Sequence, residues 1–117
     1  MKTEVDNAIA DLDANLDKID HIAIEVQDLD KTVEFYLQTF KAKVIYRDDT
    51  WAFLRFANIK LAFVVPSQHP PHIAFISERA EEFGQLKTHR DGTRSIYVKD
   101  PSDNTIEIMA PLEPDQL

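Results

Sequence analysis

Residues 19–26 read Ile19-Asp20-His21-Ile22-Ala23-Ile24-Glu25-Val26, and their alternation decides what kind of sheet this chain builds. Ile22, Ile24 and Val26 fall on one face of a strand, and His21, Ala23 and Glu25 on the other. An apolar stripe with a histidine opposite it fits a sheet covered on one face and chemically active on the other. Much the same text returns as Pro71-His72-Ile73-Ala74-Phe75-Ile76. Two echoing histidine strands point to an internal repeat.

Working outward, Asp28 and Asp30 are N-cap candidates for a helix over residues 31–40, with Val33, Tyr36, Leu37 and Phe40 as its apolar face. Strands are predicted over 43–47, 51–57 and 59–65, joined by turns at Asp48-Asp49-Thr50 and Ala57-Asn58. Pro66, Pro70 and Pro71 make the next stretch a linker, because proline cannot donate to a central ladder. The second half predicts a strand over 72–77, a short helical piece over 79–86, and a loop or short edge strand over 89–93. Strands over 94–99 and 105–109 then flank a turn at Asp100-Pro101-Ser102-Asp103-Asn104. Both halves thus read strand, helix, then two or three strands. The fold class expected is α+β, with paired βαβββ modules that pack together because neither buries its own sheet face. Val5, Ile9, Leu12 and Leu16 add an amphipathic helix over residues 3–17. The division expected is an N-terminal helix over 1–18, one domain over 19–111 and a tail over 112–117.

Bulk properties exclude several function classes. The 117 residues suit one domain with a real core. A net charge of −8 without a Lys/Arg cluster argues against nucleic acid and anionic membranes as partners. The absence of cysteine removes disulfides, thiolate metal sites and cysteine nucleophiles. No apolar run approaches the ~20 residues of a membrane span, and no signal peptide is visible. The expected location is cytoplasmic.

The repeat also places functional groups. His21 and His72 each open the first strand of a half. The last strands of the two halves overlay so that Lys60 matches Glu107. Alternation packs Ile59, Leu61 and Phe63 outward and leaves Lys60 opposite; it likewise packs Ile106 and Ile108 and turns Glu107 inward. His21, His72 and Glu107 therefore converge on one concave face, with Lys60 as a fourth corner. Two imidazoles and a carboxylate form a ligand set for a divalent metal with open positions. A lone Glu buried on such a strand is costly without a cation or hydrogen-bond partner. Taken singly, each residue also reads as a satisfied core or surface group.

Asp20-His21-Ile22-Ala23-Ile24-Glu25-Val26, Asp28-Leu29-Asp30, Phe35-Tyr36, His72-Ile73-Ala74-Phe75 and Val98-Lys99-Asp100-Pro101-Ser102-Asp103-Asn104-Thr105-Ile106-Glu107-Ile108 together resemble the vicinal oxygen chelate (VOC) superfamily. That superfamily contains glyoxalases, bleomycin-resistance proteins, fosfomycin-resistance transferases and extradiol dioxygenases. The resemblance covers about residues 19–111. It implies a glyoxalase-like half-barrel around a divalent metal (Fe, Mn, Ni, Co or Zn), usually in a homodimer, with His21, His72 and Glu107 as ligands. It also implies a small oxygen-rich substrate chelated at the metal, and lyase, isomerase, transferase or dioxygenase chemistry.

Two positions depart from the family pattern. Its glyoxalase and epimerase branches usually carry a fourth ligand, Glu or Gln, where this chain has Lys60. An ammonium does not ligate a cation, so a three-ligand site is expected. Asp103 stands where Gly is common, and Asp tolerates left-handed geometry. Arg55, Trp51, Phe53 and Tyr97 are further inward candidates. Arg55 or Lys60 suits an anionic substrate group, with Trp51 and Phe53 beside it, and Tyr97 or Glu107 suits a catalytic acid or base. The bland alternative for these four is core aromatics and a solvated cation. His69 and His89 are expected on the surface. Two other functions remain open: a non-catalytic binding protein that sequesters a small molecule, of the bleomycin-resistance type, and a dimeric structural or regulatory module.

Overall fold

The computed structural model describes residues 15–116; the helix expected over residues 3–17 lies outside them as far as residue 14. In chain order the elements are β1 (Lys18–Glu25), α1 (Leu29–Thr39), β2 (Lys43–Arg47), β3 (Trp51–Arg55), β4 (Lys60–Val64) and β5 (His72–Ile76). A 3-10 turn (Ala80–Phe83), β6 (Lys87–Thr88), β7 (Arg94–Lys99) and β8 (Thr105–Met109) complete the domain. The helical piece expected over 79–86 is therefore a single 3-10 turn. The edge strand expected over 89–93 lies just before that stretch, as two residues. β3 stops at Arg55 because the Phe56 N–H donates to the Ile59 carbonyl at 2.9 Å and closes the turn early.

All eight strands form one mixed sheet in the order β2-β3-β4-β1-β5-β8-β7-β6. β1 runs parallel to β4, and β5 parallel to β8, while β1 and β5 meet antiparallel at the centre. The two halves are thus repeats related about the β1/β5 seam. Register lays functional residues in rows across the sheet. Arg55, Lys60 and His21 stand side by side, and the row continues through Ala74 and Glu107 to Tyr97. The adjacent row holds Phe53, Ala62, Ala23 and His72.

The outer face of the first half is sealed by α1. Asp28 caps it by accepting from the Lys31 N–H at 2.9 Å, an N-cap bond that contributes about 1 kcal/mol. Val33 packs with Leu54, Ala52 and Phe63, all fully buried, and Tyr36 lies on Phe63 with ring centroids 4.7 Å apart. Burying side chains the size of Leu54 or Phe63 stabilises by roughly 1.5–3 kcal/mol each. This packing holds β3 and β4, and through them the Lys60–His21 row. In the second half the turn before β8 puts Asp103 at φ 68°. Asp100 accepts from the Ser102 and Asn104 N–H groups there, so the left-handed residue sits in a well-bonded turn.

One irregularity shapes the site. The β1–β5 register shifts between Ile19 and His21, leaving Asp20 in a bulge. Strict alternation turns Asp20 away from His21, but the bulge re-aims it. Its carboxylate lies 2.7 Å from the His21 ring.

Candidate metal centre

His21 from β1, His72 from β5 and Glu107 from β8 come together on the concave face. His21 Nε2 and His72 Nε2 are 3.2 Å apart. Glu107 Oε1 lies 3.3 Å from the first and 3.2 Å from the second. All three residues are buried.

The remaining donor atoms of these residues are already committed. His21 Nδ1–H donates to Asp20 Oδ2 at 2.7 Å. His72 Nδ1–H donates to the Pro70 carbonyl at 2.8 Å. Ser95 Oγ–H donates to Glu107 Oε2 at 2.6 Å. A neutral imidazole carries one N–H, so each Nε2 presents a lone pair to the other and to a carboxylate oxygen. Such a cluster is repulsive unless a cation or a proton sits at its centre. Ligands about 2.0–2.2 Å from one metal lie roughly 2.8–3.1 Å apart at right angles and roughly 3.3–3.6 Å apart at tetrahedral angles, and the three separations fall between these. The residues therefore fit a divalent metal, with outer partners that fix each histidine's tautomer.

The electrostatics follow from the same contacts. Burial alone pushes the Glu107 carboxyl up, but when a proton takes the place of a cation on the imidazoles, their contacts and the Ser95 bond outweigh burial and hold the group well below the usual carboxylate range. Burial pulls the His21 imidazole down, yet its bonds to Asp20 and Glu107 leave it above its ordinary value. Asp20 is raised by burial and lowered further by His21 and Lys60, ending below its ordinary value. Tyr97 is pushed up by burial and by the charge of Glu107, so its hydroxyl keeps its proton.

The other predicted residues fall around this core. Lys60 Nζ does not enter the trio; it donates to Asp20 Oδ1 at 3.0 Å and lies 5.3 Å over the Phe53 ring. Phe53 stands edge-on to His21, and Tyr97 edge-on to His72. Trp51 stacks on Tyr46, further along the same wall. Arg55 is exposed and joins Asp20, Lys60, Lys18, Asn58 and Arg79 around a cleft of about 830 Å³ at one end of the sheet. His69 is on the surface as expected. His89 is only partly exposed: its Nε2 lies 2.6 Å from Ser95 Oγ and 3.7 Å from Glu107 Oε2. The β6–β7 loop folds it back over β8, which loop placement alone does not indicate. Asp20 and Ser95 join the site in addition to the residues expected from the sequence. Alternation from Tyr97 could have found Ser95; nothing in the sequence marks the bulge that recruits Asp20.

The family model of the Glyoxalase/Bleomycin resistance protein/Dioxygenase superfamily matches residues 18–87. The chain belongs to this superfamily. Several solved structures share its architecture. A hypothetical protein from Bacillus halodurans superposes with TM-score 0.65 at 21% identity, covering 85% of this chain and 97% of that one. Methylmalonyl-CoA epimerase from Mycobacterium tuberculosis gives 0.61 at 16%, covering 82% and 89%. The Streptomyces coelicolor epimerase, in complex with 2-nitronate-propionyl-CoA, gives 0.63 at 20%, covering 82% and 98%. At these identities the likeness speaks to the glyoxalase-like fold. Among the described residues of this superfamily member, no helix is long and apolar enough to cross a membrane.

Proposed function

We propose that the protein is a divalent-metal-dependent enzyme that chelates a small oxygen-rich substrate at a three-ligand His21/His72/Glu107 centre. The observation that carries this reading is the meeting of three lone-pair donors within 3.3 Å, each anchored from behind. A bound metal supplies Lewis acidity to substrate oxygens.

The chain's own residues do the rest. Asp20 and the Pro70 carbonyl keep both Nε2 atoms aimed at the centre. Lys60 stands at the corner where a fourth ligand is absent, and with Arg55 it offers positive charge to an anionic substrate group. Phe53, Trp51 and the half-exposed Tyr97 line the concave face. Tyr97, kept protonated, is placed to donate a hydrogen bond or a proton to bound substrate. The epimerases that share the fold bind coenzyme A thioesters, and an acyl thioester with a carboxylate is one substrate of the right chemistry. Within the same reading the protein is a cytoplasmic homodimer, since β2 exposes Val44, Ile45 and Tyr46 on an edge strand.

Metal analysis of protein purified without chelator tests the proposal. Stoichiometric Fe, Mn, Ni, Co or Zn that is lost in His72→Ala supports it. Metal-free protein that still binds a small ligand overturns it in favour of sequestration without catalysis.

A further inference from the structure

Glu107 meets the two imidazoles through Oε1 alone, and its other oxygen is held elsewhere. Oε2 accepts from Ser95 Oγ at 2.6 Å. A carboxylate only accepts, so the Ser95 proton points at Oε2. Ser95 Oγ then has only lone pairs left for His89 Nε2, 2.6 Å away, and His89 must be the donor. Neither partner is free to drift. Ser95 is 1% exposed, on β7 opposite Met109. The His89 N–H donates to the Thr93 carbonyl at 2.7 Å, and its own carbonyl accepts from the Gly92 N–H at 3.0 Å. Asp91 accepts from the Thr93 N–H and hydroxyl to close the hairpin tip.

A carboxylate free to rotate can ligate a metal through both oxygens and fill two positions. Doing so here would turn Oε2 out of line with Ser95 and break the His89–Ser95–Glu107 chain at its carboxylate end. We propose that Ser95 and His89 are positioning residues that restrict Glu107 to one-oxygen ligation and so keep a coordination position open for substrate. The proposal rests on the metal reading above. It assigns a role to the β6–β7 hairpin, which otherwise only edges the sheet.

The test uses the full chain loaded with Co(II), whose visible absorption reports coordination number. Acetohydroxamate, a bidentate oxygen ligand, serves as the substrate probe. In Ser95→Ala and His89→Ala the cobalt bands weaken, as expected for added coordination, and acetohydroxamate affinity falls about tenfold or more, the size of typical outer-partner effects. Ser95→Thr, which keeps the hydroxyl, restores both. Cobalt-loaded variants with wild-type spectra and wild-type acetohydroxamate binding overturn this inference alone. A wild-type protein that takes up no cobalt overturns the metal reading, and this inference with it. Should Ser95→Ala fail to fold, His89→Ala, altered on the hairpin loop, decides the matter by itself.

Discussion

Asp20 takes the Nδ1–H of His21 on one oxygen and the Lys60 ammonium on the other. Removing it frees the His21 tautomer and leaves Lys60 half-buried without its partner. Asp20→Ala should therefore weaken Co(II) or Mn(II) binding by about 10–100-fold, read by isothermal titration; unchanged affinity would show that His21 needs no such orientation. A second carboxylate makes a cleaner pH prediction because it lies away from the centre. Asp48 accepts from the Tyr46 hydroxyl and from the Thr50 and Trp51 N–H groups, and these bonds lower it to about 2 from an ordinary 3.8. A depressed folded value means the stabilisation is fully present above pH 3.8 and is lost as pH falls toward 2. Asp48→Ala should thus be less stable than wild type at pH 6, with a smaller deficit near pH 2, by urea midpoints at both. The effect is small because the group is exposed to solvent.

Elements with a period long enough to read were legible; elements defined by a single contact were not. Helix α1 was found to within about two residues because Asp28, Val33, Tyr36 and Phe40 spell out a cap and an apolar face. The central strands followed from alternation, and that same alternation turned His21, His72 and Glu107 inward. It failed at Asp20, where a bulge depends on how β1 meets β5. It also failed at His89, whose place depends on a hairpin built on a two-residue strand. The 3-10 turn is shorter than the helical piece expected over 79–86 because Gly84 ends it. Gly84 has φ 140°, and a Cβ there would lie 2.7 Å from Ile96 Cδ1. The Ile96 methyl can turn aside, so the backbone conformation sets the cost, and Gly84→Ala should lose about 1–3 kcal/mol. A urea midpoint within error of wild type would mean that the end of the 3-10 turn relaxes to another backbone conformation without penalty.

At the scale of the whole molecule, the candidate centre bridges the repeat. His21 comes from the first half, and His72 and Glu107 from the second, across the antiparallel β1/β5 seam. A metal held by all three would join two modules whose shared strand pairing, among the described residues, is that one pair. Binding only to the folded chain stabilises it by mass action, about 2.7 kcal/mol at a hundredfold excess over Kd. For a domain of this size that corresponds to a melting point roughly 10 °C higher. Chelator should reverse the rise, and His21→Ala, His72→Ala and Glu107→Ala should each abolish most of it. The acidic surface, with net charge −8, will bind divalent cations weakly at scattered sites, so the variants are the essential control. If they show the wild-type rise on metal addition, the stabilising cation is on the surface, and the convergence of the two halves on His21, His72 and Glu107 serves something other than a metal.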